Sequence, residues 1–310
     1  MARIAIIDLG TNTFNILICD IENGQIKETL HKNKLPVKLG EGGINQGIIM
    51  PKPFERGIVA MEFYAQQCED YKVDKVFAFA TSAVRSASNG KEFCDKILAN
   101  TGISINIIDG EREAELIYKG VQLSGILTKK KALILDIGGG SCEFIICDNT
   151  RIYWKYSFDL GVTRLFDRYK HQNPITKSEI AVFESLFQKE LKRLFSALNK
   201  YPTRTLIGSS GSFDTFAEMI CYRKFGNDIY SQQPKFELNV IDFFVNHHVL
   251  TFSTVEEREK MKGLVAMRID MIVIASVMVN FLIRRLHIEE LKVSAYSLKE
   301  GVLADLSEKH

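Results

Sequence analysis

The chain has 310 residues, room for two domains of about 150 residues each. Lysine and arginine number 40 against 38 aspartates and glutamates, a formal net charge of +2. That balance excludes the large, clustered excess of a dedicated nucleic-acid or membrane-surface protein. A hydrophobic content of 46% with only six prolines excludes a disordered or fibrous chain.

In chain order, the N-terminus meets a charge and a turn too early for a signal peptide. Residues 4–20, IAIIDLGTNTFNILICD, are an apolar run, Asp-x-Gly with small polar residues, and a second apolar run. That pattern predicts a β-hairpin with a tight polar tip. Residues 54–71 have helical spacing, Lys75–Ala80 reads as a buried strand, and a helix begins near Thr81–Arg85. Lys91–Asn100 reads as helix, Ile103–Ile108 as strand, and Glu111 to Gly120 as helix. Such alternation predicts an α/β fold. Thr128-Lys-Lys-Lys131 is the expected boundary, a solvated loop.

Residues 132–148, ALILDIGGGSCEFIICD, then repeat the first hairpin. At an offset of 128, six of 17 positions are identical, among them Asp8/Asp136 and Gly10/Gly138. Two similar domains, each opening with the same hairpin, are therefore expected. Thr176 and Glu179 form a capping box opening one helix, with Phe183, Leu186, Phe187, Leu191, Leu194, Phe195 and Leu198 on its structural face. Thr205–Gly208 is a short strand. The apolar stretch Met271–Ile283 spans 13 residues, too few for a bilayer core of about 30 Å. It predicts a buried helix, with internal packing and a homodimer both open. Six cysteines at 19, 68, 94, 142, 147 and 221 form no C-x-x-C pair and read as reduced thiols of a cytoplasmic protein.

Four polar turns follow strand-like runs. Their candidate phosphate ligands are Gly10, Thr11, Asn12 and Thr13; Ser82 and Arg85; Gly138, Gly139, Gly140 and Ser141; and Gly208, Ser209, Ser210, Gly211 and Ser212. Glycine lets the backbone approach an anion, and its N–H groups with Ser/Thr hydroxyls can encircle phosphate oxygens. Competing signatures fail: no G-x-x-x-x-G-K-[ST] is present, Glu143 stands where a dinucleotide fingerprint needs glycine, and no G-x-S-x-G elbow occurs. His247 and His248 read as ordinary helix residues. Asp8 and Asp136 are expected to face one another across an interdomain cleft and hold Mg²⁺, with Glu143 extending the shell. The alternatives are turn-capping aspartates and a solvent-facing strand glutamate. Arg85, at a helix start, is placed to grip phosphate bidentately, its alternative being a surface salt bridge.

DLGTNTF (8–14), ATSAVRSASN (80–89), GEREAELIYKGV (110–121), LDIGGGSCEF (135–144), GSSGS (208–212) and SLKEGVL (297–303) resemble, in the right order and over nearly the whole chain, the exopolyphosphatase/guanosine pentaphosphate phosphohydrolase (Ppx/GppA) family. The resemblance implies two ribonuclease H-like domains of the actin/Hsp70/sugar-kinase superfamily with an interdomain cleft. Domain I would comprise 1–125 plus a returning helix 299–310, and domain II 126–298. It further implies Glu113 as catalytic base, Arg85 as phosphate ligand, and Asp136 and Glu143 as metal ligands. Two positions depart from the family pattern: Arg112 replaces a usual glutamate, and Tyr296 stands where a small residue is common. The implied activity is Mg²⁺-dependent release of orthophosphate from polyphosphate ends, with limited processivity because the larger members' C-terminal domains are lacking here. Partners would be polyphosphate or a guanosine polyphosphate, without nucleic acid or membrane. Other readings are a pppGpp 5′-phosphohydrolase, an actin-like kinase, and a non-catalytic phosphate or alarmone sensor.

Overall fold

Strand β1 (Ala2–Leu9) is buried on both faces from Ile4 to Ile7, so it reads as one apolar run without alternation. A computed structural model of the protein describes residues 2–22, 25–228, 230 and 233–307. The chain forms two compact units, Met1–Gly120 with Leu298–His310, and Val121–Ser297.

In the first unit β2 (Phe14–Glu22) and β3 (Gln25–Leu35) continue β1 as an antiparallel meander. Helix α1 (Pro51–Asp70) opens with proline in its first turn, where no intrahelical N–H is lost. It buries Met61 and Tyr64, whose hydroxyl donates to the Phe14 carbonyl at 2.9 Å. Strand β4 (Lys75–Ala80) runs parallel to β1 and leads into the single turn α2 (Ser82–Arg85). Helix α3 (Gly90–Thr101) ends on Gly102 in the left-handed region, a residue without the Cβ penalty. Strand β5 (Ile105–Ile107) lies parallel to β4. Helix α4 (Gly110–Leu123) is capped by Asp109, whose carboxylate accepts from the Arg112 N–H at 2.7 Å. The sheet order is β3-β2-β1-β4-β5.

The second unit repeats this plan. β6 (Ala132–Ile137), β7 (Cys142–Cys147) and β8 (Ile152–Phe158) form the meander, followed by α5 (Val162–Arg168), α6 (Lys177–Glu190) and α7 (Lys192–Lys200). β9 (Thr205–Ser209) is parallel to β6 and leads into α8 (Gly211–Phe225). After β10 (Lys235–Leu238), α9 (Val240–Phe252) and α10 (Val255–Arg258), helix α11 (Ile272–Leu286) precedes β11 (Glu290–Ser294), parallel to β9. The order β8-β7-β6-β9-β11 matches the first sheet, with β10 added antiparallel at the edge. The hairpin register repeats at the same offset of 128 as the sequence: Asp8 pairs with Asn15, and Asp136 with Glu143. Both units are α/β domains of one plan, a mixed sheet with helices. Finally α12 (Leu298–Ser307) returns to the first unit, where a Cβ on Gly301 would fall 1.7 Å from the Leu116 carbonyl oxygen of α4. Residues 308–310 of the expected returning helix lie outside the described residues.

Two sequence expectations change. The capping box at Thr176 forms, but the helix it opens breaks at Leu191, giving α6 and α7. Leu191 stays fully buried, so the apolar spacing carries no trace of the break. The division between units falls after Gly120, before the expected loop at 128–131. The intervening residues are tied into the second unit: Gln122 donates to the Asn149 carbonyl (2.8 Å), and the Thr128 carbonyl accepts from the Asn149 N–H (2.9 Å). Ile272–Ile283 is buried throughout, and among the described residues no helix is long and apolar enough to cross a membrane.

Candidate functional site

The tip of the first hairpin is closed by the Gly10 N–H donating to the Thr13 carbonyl at 3.1 Å; a Cβ on Gly10 would crowd that oxygen at 2.9 Å. The carbonyls of Thr11 and Asn12 accept from the N–H groups of Gly40 (3.1 Å) and Lys38 (2.8 Å). In a planar trans peptide, C=O and the following N–H point in opposite directions. Fixing those two carbonyls therefore aims the N–H groups of Asn12 and Thr13 away from the 38–40 segment. Asp8 sits beside this tip, accepting from the Asn15 amide at 3.3 Å. Burial raises its pKa, opposed by the charge of Lys299 and the Asn15 hydrogen bond.

The second tip is closed in the same way, Gly138 N–H to Ser141 carbonyl at 3.0 Å. Here three successive carbonyls are held from one side. Gly138 accepts from the Val162 N–H (3.0 Å), Gly139 from Thr163 (2.9 Å) and Arg164 (3.2 Å), and Gly140 from Arg164 Nε (3.0 Å). By the same peptide geometry, the N–H groups of Gly139, Gly140 and Ser141 all face the other way. A Cβ on Gly161 would fall 2.3 Å from the Gly139 backbone, so only glycine allows this approach.

Asp136 and Glu143 stand directly opposite on β6 and β7. Glu143 is 1% exposed and accepts from the Ser157 hydroxyl at 2.6 Å, so it is a buried residue and not a solvent-facing one. Two carboxylates placed opposite in a buried pair repel one another. A hard divalent cation suits that donor set, since Mg²⁺ takes one or two carboxylates and completes its shell with water and phosphate oxygens. Among the described residues no group of three or more His, Cys, Asp or Glu is placed to hold a metal. Asp136 and Glu143 stand opposite within the second unit; Asp8 belongs to the first unit, where Asn15 donates to it.

The remaining candidates lie at neighbouring strand ends. Leu9 of β1 is level with Ala80 of β4, and Ala80 with Ile107 of β5. The first tip, the Thr81–Arg85 turn and the start of α4 therefore leave one edge of the first sheet, at the carboxyl ends of β1, β4 and β5, where open α/β sheets bind ligands. The Ser82 hydroxyl is buried without a hydrogen-bond partner among the described residues, an arrangement that calls for one. One turn on, Arg85 Nη1 donates to the Ile108 carbonyl and to Glu113 Oε2, both at 2.9 Å. Glu113 is 7% exposed. The expected phosphate grip and the expected base are thus ion-paired.

A sequence model of the Ppx/GppA phosphatase family matches residues 17–310. The chain belongs to the Ppx/GppA phosphatase family. A crystal structure described as an exopolyphosphatase from Cytophaga hutchinsonii is 37% identical, with a TM-score of 0.96 over 99% of this chain and 98% of that one. The Aquifex aeolicus family member has a TM-score of 0.82 at 24% identity, covering 100% and 99%. A Haemophilus influenzae protein, named provisionally as an exopolyphosphatase, is 27% identical over 308 residues, 98% of this chain and 91% of its own.

The fourth turn of this Ppx/GppA chain differs from its expected use. A Cβ on Gly208 would strike the Phe213 ring at 2.0 Å, so that glycine serves packing. The Ser209 side chain is buried and donates to the Tyr296 carbonyl at 3.3 Å. Ser210, at φ 71°, is the N-cap of α8, and its carbonyl accepts from the Phe213 and Asp214 N–H groups. A Cβ on Gly211 would land 1.8 Å from Arg268 Nη2. The sequence reading missed Arg268, which lies at this turn and donates to Thr215 Oγ1 at 2.5 Å; no local signal links it to Gly211. Arg112, the departure beside the base, donates to Asp305 of α12 and to Glu115 (3.2 Å), and Lys119 also reaches Asp305 (2.8 Å). Its positive charge is neutralised within the α4–α12 contact.

Proposed function

We propose that this Ppx/GppA chain is an exopolyphosphatase, hydrolysing the terminal phosphoanhydride of inorganic polyphosphate with Glu113 as the base that activates water. The observation that carries the reading is the Arg85–Glu113 contact, a guanidinium suited to phosphate bonded to a buried carboxylate. The name borne by the 37%-identical Cytophaga hutchinsonii protein supports the substrate class.

A terminal phosphate entering at the strand ends competes with Glu113 for Arg85. Once the guanidinium turns to the phosphate, Glu113 loses its cationic partner and becomes the stronger base. It then accepts a proton from the water that attacks the terminal phosphorus; the P–O bond to the bridging oxygen breaks, the shortened polyphosphate leaves, and Arg85 stabilises the charge on the phosphoryl group that becomes orthophosphate. In the first unit the Ser82 hydroxyl and the outward amides of Asn12 and Thr13, and in the second unit those of Gly139, Gly140 and Ser141, are each suited to donate to phosphate oxygens. Asp136 and Glu143 are the residues that would hold Mg²⁺, which when bound would supply neutralisation of phosphate charge.

The test is orthophosphate release from long polyphosphate, tripolyphosphate and pppGpp, each with and without Mg²⁺. Glu113→Gln is expected to lower turnover about 10²–10⁴-fold while polyphosphate binding stays measurable. Wild-type turnover in that variant removes Glu113 as the base, and release confined to pppGpp replaces the substrate.

A further inference from the structure

We propose that Arg164 and Arg56 are positioning residues, each bracing one hairpin tip from behind so that its amide N–H groups stay turned toward phosphate. The inference rests on the phosphate-binding reading above and deepens it.

The tip Gly138-Gly139-Gly140 has little conformational preference of its own, because glycine adopts either sign of φ with similar ease. A flip of either following peptide would replace an outward N–H by a carbonyl oxygen, exchanging attraction for phosphate for repulsion. The turn therefore needs an external clamp, and Arg164 provides it twice. Its backbone N–H holds the Gly139 carbonyl at 3.2 Å, and its Nε holds the Gly140 carbonyl at 3.0 Å. Nη2 of the guanidinium lies 3.4 Å from the exposed carboxylate of Asp159, an ion pair.

The first tip shows the same device at one remove. Arg56 Nε donates to the Val37 carbonyl (2.8 Å), and Nη2 to the Lys38 carbonyl (3.2 Å) and Glu41 Oε2 (2.6 Å). Those bonds secure the 37–41 segment around Lys38, which sits at φ 49°, a region L-residues adopt only when held there. Lys38 and Gly40 then grip the Asn12 and Thr11 carbonyls. Thr11 and Thr13 are β-branched and stiffer than glycine, so this tip depends less on its brace.

The experiment measures binding of inorganic phosphate by calorimetry, kcat and KM with polyphosphate, and the thermal midpoint, on the full chain. Arg164→Ala is expected to weaken phosphate binding and raise KM about tenfold or more, the scale of one lost charge-assisted hydrogen bond, with kcat less affected. Arg164→Lys, which keeps a donor but not the fork to Asp159, is expected to show about a two- to fivefold loss. Arg56→Ala is expected to match that smaller loss. Methylguanidinium added to Arg164→Ala should restore phosphate affinity, which repair of a general folding defect would not do. Unchanged phosphate binding in folded Arg164→Ala overturns the proposal and leaves the hydrolase reading intact. If Arg164→Ala does not fold, unchanged binding in Arg164→Lys overturns it instead. A chain that binds phosphate but hydrolyses no phosphoanhydride overturns the hydrolase reading, and the isotherms still decide the brace.

Discussion

The two hairpin tips are built on one backbone plan and furnished differently. Each closes with glycine N–H bonded to the carbonyl three residues on, and each strand pair keeps the same register. The first carries Thr-Asn-Thr and sets an amide, Asn15, opposite its aspartate. The second carries three glycines and sets a carboxylate, Glu143, opposite its own. An amide partner donates a hydrogen bond to its aspartate, whereas a carboxylate partner adds a second oxygen donor of the kind a hard cation takes. On the proposed reading, a single residue at the level of the aspartate separates a turn suited to phosphate alone from a turn suited to phosphate and Mg²⁺.

The largest expected effect tests that separation. Glu143→Gln should lower polyphosphatase turnover at millimolar Mg²⁺ by about 10²-fold or more, with part of the loss recovered as Mg²⁺ is raised. Asn15→Ala, at the matching position of the first tip, should cost about tenfold or less, because it removes one neutral hydrogen bond to Asp8. Equal losses with equal Mg²⁺ dependence would show that the two tips do not divide the work.

A second comparison concerns what lies behind each tip. At Gly161 an added Cβ meets backbone atoms of Gly139 and Gly140 at 2.3–2.4 Å, atoms that cannot yield without opening the turn. At Gly40 the neighbour is the Thr11 methyl, at 2.6 Å, the end of a side chain. Gly161→Ala should therefore destabilise by about 2–4 kcal/mol and weaken phosphate binding, and Gly40→Ala by about 1–2 kcal/mol. Urea unfolding of the two variants side by side checks the order, and the reverse ranking would mean that the second turn is the more yielding one.

How much of this could be read from the chain follows the range of the interactions. The tips were legible because their chemistry is local: an apolar run, Asp-x-Gly and a second apolar run specify a hairpin, and matching at a fixed offset specified the duplication. Strand β3, QIKETLHKNKL, gave no such signal. As an edge strand with exposed lysines it lacks a buried alternating face, a common protection against edge pairing. The break at Leu191 was invisible because the residue stays on the buried stripe. Arg56, Arg164 and Arg268 were not singled out for a related reason. Each acts on a turn through a contact made by tertiary folding, and nothing in the spacing of an arginine announces which carbonyl or glycine it will meet.

The smallest effect concerns a residue remote in sequence from both tips and serves as their control. His247 of α9 has its ring stacked near Phe243, and its Nδ1 lies 3.2 Å from the Ser276 hydroxyl of α11. Burial, reinforced by the charges of Arg284 and His248, pushes its pKa down to about 4. The folded protein therefore keeps this ring neutral where the unfolded chain, with a pKa near ~6.5, has begun to bind a proton. Stability from this group is fully present above about pH 6.5 and is lost as the pH falls toward about 4, by at most ~3 kcal/mol. In His247→Gln the fall in urea midpoint between pH 7 and pH 4.5 should be shallower, while turnover at pH 7 stays at the wild-type value. A variant with the wild-type pH slope would remove His247 as the source. Altered turnover at neutral pH would mean that α9 influences the chemistry of the tips, and their comparison would have to include it.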